Sequence, residues 1–150
     1  MIREISIHDA EVLRNINSEQ LGYDVSLELT TQQIKKLSKD KKNHIFLVYE
    51  STETNEVLGY VHAELYESIY SEPMFNILAL AVSKKAEKRG IGKKLMYGLE
   101  TIARQRNILA IRFNSGEKRH EAHKFYEHIG YKSDKLQKRF LKFLKGETDE

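Results

Sequence analysis

The sequence predicts a mixed α/β (α+β) layer fold, with about four helices on the faces of a central, mostly antiparallel seven-stranded sheet. Three observations carry this. Strand-like and helix-like stretches follow one another as strand, two helices, three strands, helix, strand, helix and two strands. The three consecutive strands are separated by short turn-rich segments, as in antiparallel hairpins. The most apolar of them, Ile77-Leu78-Ala79-Leu80-Ala81-Val82, runs through a glycine-containing turn into a helical pattern.

Each element has its own signal. Ile2, Ile5 and Ile7 punctuate a short first strand. Asp9 can cap the helix whose stripe is Val12, Leu13 and Ile16. Leu21 to Asp24 reads as a break, and Thr30 or Thr31 can cap a second helix carrying Ile34 and Leu37. His44–Tyr49 and Val57–Tyr66 form a predicted hairpin, and a loop from Glu67 to Pro73 leads to a strand over Phe75–Val82. From about Gly92 to Arg106, Leu95, Met96, Leu99, Ile102 and Ala103 recur at helical spacing. Gly98 inside that helix costs about 1 kcal/mol against Ala, which a close helix–sheet contact would explain. Ile108–Phe113 is a further strand, and Arg119–Ile129 a last helix closed by Gly130. Tyr131 opens one more strand, Phe140–Leu144 supplies the seventh, and Gly146–Glu150 is an acidic tail expected to fray.

A chain of 150 residues, 40% hydrophobic and 31% charged, is expected to form a single domain over 1–150. It lacks an apolar run of the ~20 residues that span a bilayer, and its first residues do not have the layout of a signal peptide. A cytoplasmic location without membrane association is therefore expected. The absence of Cys excludes a disulfide framework, a thiolate nucleophile and a Cys-based zinc site. His120, His123 and His128 lack the i, i+4 spacing of a helical ligand pair, so no metal is expected. A net charge of +3 is too mild to argue for nucleic acid, and no aromatic–basic interleaving supports it.

The segment Glu87-Lys88-Arg89-Gly90-Ile91-Gly92-Lys93-Lys94 has the makings of a phosphate cradle. Glycines at 90 and 92 let backbone approach a ligand, and the N–H groups of the first helical turn face an anion with the helix dipole behind them. The surrounding basic residues add attraction for a polyanion. A dinucleotide-binding fingerprint would need a third glycine, and a P-loop would need Ser or Thr where Lys94 stands.

Together with Phe125-Tyr126-Glu127-x-x-Gly130-Tyr131 downstream, this turn resembles the signature of the GNAT N-acetyltransferase superfamily, and the resemblance covers nearly the whole chain. The family's first motif is Arg/Gln-x-x-Gly-x-Gly/Ala after an apolar-x-Val, here Leu80-Ala81-Val82. Its second is Phe-Tyr-x-x-x-Gly-Phe/Tyr. Glu87 departs from the usual Arg or Gln and would repel a phosphate, although Lys88, Arg89, Lys93 and Lys94 surround it. Arg119 replaces an Asn common before the last helix and has the reach for a phosphate or a pantetheine carbonyl.

The resemblance implies acetyl-CoA as co-substrate, its pyrophosphate on the backbone of Lys88, Arg89, Gly90, Ile91, Gly92 and Lys93. It implies a splay between the fourth and fifth strands, where the pantetheine pairs with backbone at Leu80 and Val82. The Leu80 or Ala81 N–H would polarise the thioester carbonyl for direct attack by an amine. Tyr126 would bind the cofactor and protonate the leaving thiolate, a task suited to a phenol of reference pKa ~10. Glu64 is the first candidate for general base, with His62 on the same strand parity, then Glu67 and Tyr66. The acceptor is expected to be a small-molecule or protein amine. Tyr23, Tyr66, Tyr70 and Phe75, with Asp24, Glu28, Glu67 and Glu72, suggest an aromatic, acidic cleft for a cationic one such as a polyamine, aminoglycoside or lysine side chain. Homodimerisation is common in the family. A second reading from a different class is an acyl-CoA-binding sensor or interaction module of weak catalytic power, motivated by Glu87 and the lack of an obvious base.

Overall fold

Five strands build one sheet in the order β1 (Ile2–Glu4), β2 (His44–Glu50), β3 (Val57–Ser68), β4 (Ser71–Val82) and β5 (Ile111–Arg112). The first three neighbouring pairs are antiparallel, and β4–β5 is parallel. Among the described residues four α-helices accompany them: α1 (Ala10–Ile16), α2 (Leu27–Leu37), α3 (Ile91–Gln105) and α4 (His120–His128). Helix α3 is the crossover that parallel pairing requires. The computed structural model describes residues 1–146, so the fraying expected of the tail beyond Gly146 lies outside the described residues. The chain divides into two units, Met1–Asn114 with the whole sheet, and a C-terminal unit from Ser115 with α4. No helix among the described residues is long and apolar enough to cross a membrane.

Adjacent strand residues point to opposite faces, and Leu47 and Val48 divide the first unit accordingly. On the Leu47 face lies α3, with Leu95, Met96 and Leu99 fully buried. A Cβ added to Gly98 would come within 3.1 Å of Leu47 Cδ1, so the helix glycine buys close approach to the sheet. On the Val48 face, Ala10, Leu13, Ile16 and Ile34 of α1 and α2 cluster with Val48, Tyr60 and Ala81.

The mixed α/β class stands, but the sheet has five strands, not seven. Residues 132–144 enter no ladder, and Leu136, Phe140 and Leu144 are largely exposed. Alternating apolar residues supply strand propensity, but a strand exists only with a partner for its backbone. The strand expected over 108–113 contracts to Ile111–Arg112, because the Ile108 N–H bonds back to Ala103 at the end of α3. The loop expected from Glu67 to Pro73 is a tight hairpin instead. Pro73 lies inside β4 where the register slips between Tyr66 and Ser68, a bulge that tolerates its missing N–H. Helix α2 is capped by Ser26, whose Oγ accepts from the Leu29 N–H at 3.0 Å, in place of Thr30 or Thr31. Ser6, not Asp9, makes the first side-chain cap. The Asp9 carboxylate turns to Arg3 (2.8 and 2.9 Å) and to the Ser6 N–H (2.8 Å).

Candidate active site

Strands β4 and β5 pair only at Phe75–Ile111 and Asn76–Arg112, then part. Beyond that point β4 continues for six residues beside β3 alone. The Ser83 N–H bonds to Leu58 O at 2.8 Å, so by alternation the N–H and C=O of Val82 and Leu80 point away from β3, toward the side β5 has left. The bend has a local cause. His62 pairs with Ala79 and Ala63 with Ile77, leaving Leu78 as an extra residue. Such a bulge bends the strand that carries it and raises its twist.

The open edge runs into the glycine turn. A 3-10 turn (Lys84–Ala86) is tethered by Glu19, which accepts from the Lys84 N–H at 3.1 Å, and by a Lys85–Glu56 ion pair. Lys88 (φ 67°) and Gly90 (φ 76°) both adopt the left-handed conformation. Gly90 is the N-cap of α3, no side chain caps that end, and nothing lies within 4 Å of where its Cβ would be. The first N–H groups of a 15-residue helix are thus presented outward. Buried Ile91 anchors the turn, while Glu87, Lys88, Arg89 and Lys93 are exposed. No ion pair among the described residues occupies Lys88, Arg89 or Lys93; Lys93 lies over the Tyr97 ring and Lys94 over the Tyr49 ring, each at 5.6 Å. The turn therefore combines free backbone donors, room and positive charge, which fits a phosphate despite Glu87.

Polar side chains line the sheet face that carries α1 and α2. His44 Nδ1 and His62 Nε2 share a hydrogen bond of 3.0 Å, and the His62 ring stacks on Phe46 with centroids 3.9 Å apart. Burial, reinforced by the neighbouring His44, drives the His62 imidazole down to about 4, so it is neutral at pH 7. Two residues on, Glu64 Oε2 accepts from Asn76 Nδ2 at 2.8 Å. Asn76 Oδ1 accepts from Arg112 Nη1 at 2.6 Å, and the Arg112 guanidinium sits over Tyr66 at 4.7 Å. The shared parity of His62 and Glu64 was legible in the sequence; His44, Asn76 and Arg112 as their partners were not.

In the C-terminal unit, Arg119 is the N-cap residue of α4 and Tyr126 lies near its other end. Burial raises the Tyr126 phenol, and Arg119, within hydrogen-bonding reach, partly offsets this. Gly130 closes the helix with φ 104°. His120 and His123 meet edge to face at 6.1 Å, and no three metal-ligating side chains converge among the described residues.

The aromatic residues expected to share an acceptor cleft differ in their surroundings. Phe75 is fully buried beneath Arg106, Tyr66 lies beneath Arg112, and Tyr23 and Tyr70 are exposed. Two cavities open beside α1. One, of about 550 Å³, is lined by Arg3, Asp9, Glu19, Glu56 and Lys85, whose charges largely neutralise one another in ion pairs. The other, of about 200 Å³, lies between α1–α2 and β2–β3, with Phe46, Tyr60 and His62 in its wall.

The acetyltransferase (GNAT) family profile matches residues 10–131. No curated protein sequence matches the chain significantly. Among solved structures, glucosamine-6-phosphate N-acetyltransferase from Arabidopsis thaliana aligns with a TM-score of 0.79 at 16% identity, covering 94% of this chain and 97% of its own. An aminoglycoside antibiotic 6'-N-acetyltransferase from Acinetobacter haemolyticus reaches 0.80 at 14% identity, covering 96% and 99%. A further AAC(6')-Iy structure, solved with a CoA-containing bisubstrate analogue, reaches 0.81 at 11% identity over 96% and 98%.

Proposed function

The chain belongs to the GNAT acetyltransferase family, and we propose that it moves the acetyl group of acetyl-CoA to a primary amine by direct attack. One observation carries the reading. The open β4 edge at Leu80 and Val82 leads straight into the uncapped N-terminus of α3 at Gly90. An extended amide-bearing arm ending in a pyrophosphate matches both halves: strand-like pairing for the amides, backbone donors for the phosphates.

The residues then divide the work. Backbone N–H groups of Lys88 to Lys93 hold the pyrophosphate, with Arg89 and Lys93 adding charge. Acetyl-CoA supplies an acetyl group already activated as a thioester. The Leu80 N–H stabilises negative charge developing on its carbonyl oxygen. An ammonium must lose a proton before its nitrogen can attack. Glu64 is assigned to receive it; Oε2 is held by Asn76, and Oε1 is the oxygen left for the amine. The new N–C bond forms as the C–S bond breaks, and the Tyr126 hydroxyl gives its proton to the departing thiolate. Arg119 beside Tyr126 stabilises the resulting phenolate, a role beyond the phosphate or pantetheine contact its position first suggested. Residues 1–150 are taken as one acetyltransferase domain in this reading.

Free thiol release from acetyl-CoA across a panel of amines tests the proposal, with Tyr126→Phe in parallel. Release with one amine class and a fall in kcat of roughly 100-fold in the variant is the expected result. Equal turnover by the variant would remove Tyr126 from the mechanism. Tight acetyl-CoA binding with no release by any amine would favour the sensor reading.

A further inference from the structure

The cavity between α1–α2 and β2–β3 differs in chemistry from the acidic cleft that the sequence suggests. Its walls include Leu13, Val25, Leu29, Ile34 and Leu37. No Asp, Glu, Lys or Arg lines it. Its polar atoms are few and mostly engaged: the Tyr60 hydroxyl donates to Asn17 Oδ1 at 2.5 Å, and His62 is bonded to His44. A volume near 200 Å³ exceeds the ~150 Å³ that accommodates a benzene-sized guest.

Its position connects it to the proposed chemistry. His62 pairs across the ladder with Ala79, the neighbour of Leu80. Glu64 follows His62 by two residues and shares its face. A guest held against His62 therefore lies on the strand face that also carries Glu64, one strand away from the β4 edge at Leu80.

Resting on the acetyltransferase reading above, we propose that this cavity is the acceptor subsite and takes the apolar body of a small monoamine, with the His62–His44 pair as its fixed polar wall. The body, roughly six to eight heavy atoms, lies among the leucines and valine. The ammonium stays at the mouth toward Glu64, because burying it unpaired would cost too much. His62 remains neutral over the working range, so the wall neither repels the amine nor draws in polycations. Polyamines and aminoglycosides, charged along their length, are poor guests for a wall without carboxylates.

The test uses the full chain and four amines: benzylamine, hexylamine, propylamine and spermidine. Two readouts are followed, thiol release from acetyl-CoA and the histidine ring resonances by ¹⁵N NMR. Benzylamine and hexylamine are expected to exceed propylamine and spermidine in kcat/KM by at least tenfold, since each well-seated methylene is worth about 10-fold or more. Benzylamine is expected to shift the His62 and His44 ring signals saturably. Leu29→Trp fills the cavity from its exposed rim and introduces the sole tryptophan of the chain. This variant should raise KM for benzylamine more than tenfold and leave the affinity for acetyl-CoA, measured by calorimetry, unchanged. Thiol release that favours spermidine and ignores Leu29→Trp would overturn the subsite while sparing the acetyltransferase reading. Unmoved histidine resonances would overturn it with or without turnover. Saturable shifts without thiol release from any amine would uphold the cavity as an amine site and sink the reaction instead.

Discussion

The two faces of the sheet are built on opposite terms. The α3 face is dry: Leu95, Met96, Leu99 and Phe75 are fully buried. The α1–α2 face mixes an apolar cluster with Arg3–Asp9, Tyr60–Asn17, His62–His44 and the Glu64–Asn76–Arg112 chain. A single sheet can therefore separate tasks that conflict. Tight apolar packing makes one side rigid, and the other accepts the cost of desolvated polar groups so that they can act on a guest.

The contrast is broken most severely on the dry side. Leu99→Ala removes a fully buried side chain and should cost roughly 2–5 kcal/mol in chemical denaturation. The KM for the acceptor should stay within twofold, because α3's buried face does not reach the cavity. A large KM change would mean that the two faces are not independent.

The polar side should respond to pH instead. His62 falls from an ordinary 6.5 to about 4 in the fold. Below pH ~6.5 the unfolded chain takes up a proton that folded His62 refuses, so stability declines as pH drops toward 4. At ~1.4 kcal/mol per pH unit the loss approaches about 3 kcal/mol. His62→Gln should flatten that part of the stability–pH curve in urea titrations, whereas Leu99→Ala should lower the curve without changing its slope. An unchanged slope in His62→Gln would remove this contribution.

A smaller effect sharpens the comparison from β1. Burial works to raise the Asp9 carboxyl, but hydrogen bonds from Arg3 and the Ser6 N–H prevail and hold it below its usual range. A depressed carboxyl stabilises the fold above its unfolded pKa and loses that contribution as pH falls through the folded value. Asp9→Asn should cost about 2 kcal/mol at pH 7, the scale of hydrogen bonds to a charged group. The difference from wild type should shrink below pH 4. A gap that persists in acid would assign the effect to packing.

Legibility in the sequence followed the range of the interactions. Helix α3 was readable within one or two residues, because the spacing of Leu95, Met96 and Leu99 reports its own burial. The glycine turn was readable for the same local reason. The strand expected over Phe140–Leu144 failed because propensity does not name a partner. The cavity was hidden because its walls come from α1, α2, β2, β3 and the segments around Ile5, Asn17 and Val25, and its polar wall from a register that brings residues 44 and 62 together. The aromatic and acidic cleft was inferred from composition near a loop, a signal that does not report burial: Phe75, counted among its walls, is fully buried.

Leu78 gives the molecule an unusual sensitivity to miscounting. It is 46% exposed, so most substitutions there should be mild. Yet it lets Asn76 and Ala79, three residues apart, face the same way, although strict alternation would oppose them. Deleting that one residue would keep Asn76, Ala79 and Ala81 on one face by plain alternation, but it would remove the bulge and with it the local bend and added twist of β4 beyond its pairing with β5. At this position the identity of the side chain is nearly silent, and the count of residues carries the information.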